Sequence, residues 1–167
     1  MTRRSTQALI LVSSLYIVGA SLGALLSMTT DLPARFGGLL NGRDVPRDFL
    51  LLDGTALSPD LAMLLGQFVL IVCAARAGRA GMAGVVGLTL LGAATMAGQL
   101  GEPITTRALS PATFNAAQAA LVVTNILLSL GMLIVGAVEW RSRQRTASTA
   151  IQRLRAGRGQ AQTEGWP

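Results

Sequence analysis

Four stretches of the chain are apolar for long enough to matter, and each ends in polar or charged residues. From Ala8 to Met28 no charge interrupts the run. A helix of that length, at about 1.5 Å per residue, covers the roughly 30 Å hydrocarbon core of a bilayer. Arg3 and Arg4 precede it in the manner of a secretory signal, but the run is long for one and no break marks a cleavage site, so it reads as a span over about 8–28. The second stretch, Leu61 to Ala75, is shorter. It becomes a span over about 59–76 if Ser58 caps the helix, Pro59 takes its first position and Asp60 sits in the first turn, where the helix dipole favours a negative charge. Arg76 and Arg79 close its other end.

A tight turn around Gly78 leads into the third span, about 80–101, so the second and third helices are expected to be antiparallel neighbours, with Pro103 stopping the third. Ser110 and Pro111 repeat the cap-and-proline pattern and open a fourth span over about 111–138, uncharged until Glu139 and long enough to tilt. The expected fold class is all-α, an integral membrane four-helix bundle. Residues 1–145 form the transmembrane domain and 146–167 a basic cytoplasmic tail without fixed structure. Ala-Leu-Ser-Pro stands at both Ala56–Pro59 and Ala108–Pro111, a faint sign of a two-plus-two repeat that capping chemistry alone also accounts for.

Charge then orients the bundle. The chain has no lysine and no histidine, and of its 14 arginines ten lie at the N-terminus, at Arg76 and Arg79 and in the C-terminal tail. The positive-inside rule places both termini in the cytoplasm (N-in/C-in) of a multi-pass protein of the cell membrane. The long loop 29–57 and the shorter loop 102–109 then face outward. Arg141, Arg143, Arg145, Arg153, Arg155 and Arg158 suit anionic lipid headgroups and do not read as a nucleic-acid footprint. The arginine, alanine and glycine bias points to a GC-rich bacterial genome and its inner membrane. With 51% hydrophobic and 13% charged residues, composition agrees with a membrane class. Gly19 and Gly23 make a small-xxx-small pair, which predicts that this face packs closely against another helix.

Polar side chains are costly in lipid, so their placement carries most of the functional signal. Thr95, Gln99 and Glu102 share one face of the third helix at i, i+4 and i+7. Asn115, Gln118 and Asn125 share a face of the fourth, Asp60 and Gln67 a side of the second, and Tyr16 lies mid-span on the first, where its hydroxyl needs a partner on a neighbouring helix. Those on the second, third and fourth helices fall mainly in the outer halves, which predicts a polar pocket open to the outside, capped by a loop carrying Asp31, Asp44, Asp48 and Asp53 among Arg35, Arg43 and Arg47. Glu102 follows a helix C-terminus, an unfavourable place for an acid unless Arg107 or another partner compensates. The Phe49–Leu52 run is too short to span and belongs at the interface.

The available chemistry is narrow. One cysteine, Cys73, excludes an internal disulfide, and the lack of histidine excludes a Ser-His-Asp triad and the usual haem and zinc ligand sets, so no metal and no cofactor are expected. Glu102, with Asp53 or Asp60, is the candidate acid and base. Gln67, Thr95, Gln99, Asn115, Gln118, Asn125 and Tyr16 are the candidate substrate-binding groups. Metal-independent isomerisation, epoxide opening or cyclisation of a lipophilic small molecule fits these residues. A non-catalytic subunit contacting another membrane protein or its own copies fits the glycine face and the amide stripes equally. A carrier fits less well, because no continuous polar path crosses the apolar inner half.

Overall fold

The computed structural model describes residues 2–35, 44–50 and 54–163. Its secondary structure is helical: α1 Thr2–Thr30, α2 Val45–Leu50, α3 Leu61–Ala74, α4 Gly78–Gly101, α5 Pro103–Leu109 and α6 Ala116–Thr163. Three helices are long and apolar enough to cross a membrane, over Arg4–Thr30, Gly78–Gly101 and Ala116–Thr146, while the apolar α3 is shorter. At 14 residues α3 rises only about 21 Å, well under the hydrocarbon thickness.

α4 packs against α6 and α3, and α1 packs against α6 and α3, so the four apolar helices share one core. Leu9, Tyr16, Ala20, Leu64, Ala74, Val85, Leu88 and Met132 fill it. Leu11, Leu22, Leu65, Phe68, Leu90, Leu127 and Ile134 lie exposed on the outer faces, the distribution expected of helices whose surroundings are as apolar as their interior. Small residues set the closest approaches. A side chain at Gly84 would collide with the backbone of Ala74, and one at Gly87 with the side chain of Leu70, so α3 and α4 are pressed together next to their connecting turn. Gly78 makes that turn with φ 73°.

Several boundaries differ from those the sequence predicts. Ser58 and Pro59 do not open α3; Asp60 is itself the N-cap, its Oδ1 accepting from the Met63 amide at 2.8 Å, while the Ser58 hydroxyl donates to the Pro59 carbonyl. Ser110 is the C-cap of α5, and Pro111 lies in a turn that precedes Asn115, whose Oδ1 accepts from the Ala117 and Gln118 amides and starts α6. At both places a downstream Asp or Asn caps the helix in place of the Ser-Pro pair, because the chain is still in a turn at Ser58 and at Ser110–Thr113 and becomes helical only after Asp60 and Asn115. Loop 102–109 is a short helix, α5, and α6 continues as helix to Thr163. The loop after α1 holds α2 and then a buried non-helical turn, Gly54–Ser58. The Gly19–Gly23 face packs as predicted at Gly19, which meets Asn125 of α6, but Gly23 meets the backbone of Leu57 in that turn and not a helix.

Gly84→Ala should lower unfolding stability in detergent by about 1–3 kcal/mol, because the added methyl meets backbone that has no room to yield. Gly66→Ala, where nothing lies within 4 Å, should instead stabilise α3 by up to about 1 kcal/mol. Denaturant titration of the two variants checks the difference in sign.

Candidate functional site

The turn Gly54–Ser58 is the element that builds the site. Its five residues are all buried, although none is helical. Gly54, with φ 71°, lets the chain reverse. The Thr55 amide donates to the Ser58 carbonyl at 2.8 Å and the Ser58 amide back to Thr55 at 3.3 Å, while the Ala56 amide donates to the Leu32 carbonyl at 3.2 Å. The Leu57 carbonyl, pressed against Gly23, accepts from the Asn125 side-chain amide at 3.4 Å. Backbone that leaves helical geometry inside an apolar bundle must find such partners.

Because the turn and the Asp60 cap stand where further helix would otherwise run, they leave a cavity of about 230 Å³ between α3, α4 and α1. Its wall is made by Tyr16 of α1, by Thr55, Ser58, Pro59, Asp60 and Met63 at the start of α3, and by Ala94, Thr95, Gly98, Gln99 and Glu102 of α4. Five of the residues singled out in the sequence thus share one cavity: Tyr16, Asp60, Thr95, Gln99 and Glu102.

Their hydrogen bonds fix them. The Gln99 Nε2 donates to the Tyr16 hydroxyl at 3.4 Å, giving the fully buried tyrosine its partner on a neighbouring helix. The Thr95 hydroxyl reaches the Leu91 carbonyl at 2.9 Å and the Ser129 hydroxyl at 3.0 Å, linking α4 to α6. Glu102, buried between the end of α4 and the start of α5, accepts from the Arg35 backbone amide with both carboxylate oxygens, at 3.1 and 3.2 Å. The Arg35 main-chain N–H is thus one partner that compensates the charge, and the N-terminal end of α5 adds a favourable partial charge. Arg107 joins Asp31, Arg35 and Glu102 around a neighbouring cavity of about 170 Å³. Glu102 and Ala56 stand in the walls of both.

The remaining candidates lie elsewhere. Gln67 is fully buried toward the bundle centre, donating to the Ser13 carbonyl at 3.0 Å and contacting the Met132 sulfur at 3.6 Å, so it ties α3 to α1 and α6. Asn125 holds the turn from behind, Asn115 is an exposed helix cap, and Gln118 is half-buried on α6 away from the cavity. These are corrections to the predicted pocket: equal spacing on α6 does not bring Asn115 and Gln118 inward, because the helix starts at Ala116 and its first turn is exposed. Asp53, Arg43 and Leu51–Leu52 lie outside the described residues, as do the side chains of Arg153, Arg155 and Arg158. Among the described residues no group of three His, Cys, Asp or Glu is placed to hold a metal ion.

The sequence reading missed a second polar cluster, at the opposite end of the bundle. Glu139 is fully buried. Its carboxylate accepts from the Ser5 hydroxyl, from Thr6 Oγ1 at 2.7 Å and from Arg143 Nε at 2.7 Å. Arg143 also donates to the Ala74 carbonyl at 3.2 Å, so one ion pair joins α1, the end of α3 and α6. The signal was present as a Glu four residues before an Arg at the end of an apolar run, but its partners come from residues more than a hundred positions away.

No protein-family model matches the chain, and no curated protein or solved structure shows significant similarity to it. The site therefore has to be read from its own chemistry. Arg143→Ala leaves the Glu139 charge buried without its counter-ion and should cost about 3–5 kcal/mol of stability, whereas Glu139→Gln, which removes the charge and keeps the shape, should cost less. Chemical denaturation of both variants in one detergent checks the order.

Proposed function

We propose that the chain is a four-span protein of the bacterial inner membrane with both termini in the cytoplasm, and that its cavity performs metal-independent acid/base chemistry on a lipophilic small molecule. The observation that carries this reading is the convergence of Tyr16, Asp60, Thr95, Gln99 and Glu102 on one cavity at one end of the bundle. Buried polar groups are costly, and packing needs are already met by Gln67 and Ser129. The opposite end supports the orientation. There the start of α1, the α3–α4 turn with Arg76 and Arg79, and the Arg141–Arg145 stretch of α6 lie together around Glu139. That end suits the cytoplasmic face and anionic headgroups. α3, although short, completes a span with the buried turn above it.

The chemistry follows from the groups present. Glu102 is the base: it takes a proton from a carbon next to a polarised double bond. Tyr16, which accepts from Gln99 Nε2, donates to the oxygen on which negative charge develops, and the protonated Glu102 returns its proton at another position, directly or through Asp60. Proton removed and proton returned balance, so isomerisation needs no co-reactant. Epoxide opening or cyclisation uses the same two roles.

Glu102→Gln should leave binding of the native lipophile intact and reduce its deuterium exchange in D₂O by about 10²–10⁴-fold. Gln99→Leu should strip the co-purifying lipophile from the protein. Mass spectrometry of extracts from purified wild type and both variants, with oligomer size measured alongside, provides the check. No small molecule in any sample, with an altered oligomer in Glu102→Gln, would replace this reading with that of a non-catalytic membrane subunit.

A further inference from the structure

We infer that the cavity is filled sideways from the lipid, through a gap between α3 and α4, and that its ligand is a hydroxyl-bearing lipophile, for which a long-chain alcohol is the simplest probe. The inference rests on the reading of the cavity as a ligand site within a membrane.

The route follows from which parts of the wall reach the surface. Tyr16, Ala34, Thr55, Ala56, Ser58, Asp60, Thr95 and Glu102 are buried; only Pro59 and Met63 on one side and Ala94, Gly98 and Gln99 on the other are exposed or half-exposed. The mouth therefore lies between the start of α3 and the second half of α4. Toward the helix ends stand the buried turn, tied to Leu32, and Glu102, tied to Arg35. The two helices touch tightly at Gly84 and Gly87 near their connecting turn. At the mouth α4 offers the small Ala94 and Gly98 beside Gln99. On the same two helices Leu65, Leu90 and Leu100 are exposed. An opening set in such a surface connects to acyl chains, not to water.

The ligand class follows from the charges and from one unmet acceptor. Among the described residues the wall holds two carboxylates and no arginine, which disfavours an anionic head. Gln99 Oε1 is buried without a hydrogen-bond partner. A hydroxyl donating to it would satisfy it, and such an unmet acceptor discriminates strongly between ligands that can donate and those that cannot. Asp60 caps α3 and Glu102 holds the Arg35 amide, which leaves Gln99 Oε1 as the unmet acceptor of the wall.

The test uses the full-length protein in lipid nanodiscs and two tritiated photoreactive probes: 1-hexadecanol and hexadecanoic acid, each carrying a diazirine at the same chain position. The expected result is alcohol labelling of the peptides containing Pro59–Met63 and Ala94–Gln99, at least tenfold above the acid. Ala94→Trp, which plugs the mouth, should abolish it, with Ala94→Leu intermediate. Ala97→Trp, exposed on the same helix but outside the wall, should label as wild type. Undiminished cavity labelling in Ala94→Trp would overturn lateral entry while leaving the ligand site standing. Equal labelling by the acid would overturn the hydroxyl class. Labelling of neither peptide by either probe would overturn both this inference and the proposed function on which it rests.

Discussion

A peptide group that leaves helical geometry among apolar helices has no water to turn to, and the fold is organised around one segment that does so. Gly54–Ser58 is buried and irregular, and its groups are met by local bonds across the turn, by the Leu32 carbonyl and by the Asn125 amide. The accommodation reaches into the neighbours. Gly23 has to be glycine because the Leu57 carbonyl lies against it, Gly54 has to take a positive φ, and α3 begins only at Leu61 with Asp60 as its cap. The shortened helix and the folded-in turn together leave the space that becomes the cavity.

The two ends of the bundle divide the work. At one, Gly84 and Gly87 bring α3 and α4 into contact, and the Glu139–Arg143 pair draws α1, α3 and α6 together through a buried and fully occupied set of hydrogen bonds. At the other the same helices leave room for a cavity, and polar side chains face it with an acceptor to spare. Unfilled space and an unmet polar group both cost stability, and the open end carries them. A ligand that donates to Gln99 would recover part of that cost on binding, which is why the open end reads as the working end.

Much of this was legible in the sequence because it depends on local periodicity. The charge-free runs located the long helices, and the i, i+4, i+7 spacing of Thr95, Gln99 and Glu102 put three cavity residues on one face. What failed depends on contacts distant in sequence. Ser-Pro is a sound helix start by local preference, yet Asp60 and Asn115 supply the caps, since which residue wins depends on where the chain is free to turn. Gln67 and Asn125 look like pocket residues by type and spacing, and only the approach of Ser13 and Leu57 reveals them as fasteners. Nothing in Gly54–Ser58 announces burial, because its partners come from α6 and from the residues after α1.

The buried turn is the premise from which the cavity, the short α3 and the proposed activity follow, so its backbone is the place to test the account. Hydrogen exchange of the Thr55, Ala56 and Ser58 amides in lipid nanodiscs measures it directly. The account predicts protection close to that of the mid-helix amides of α4, because each of these groups is bonded and shielded from water. Exchange at the rate of an open surface loop would contradict it, and with it the cavity built on that turn.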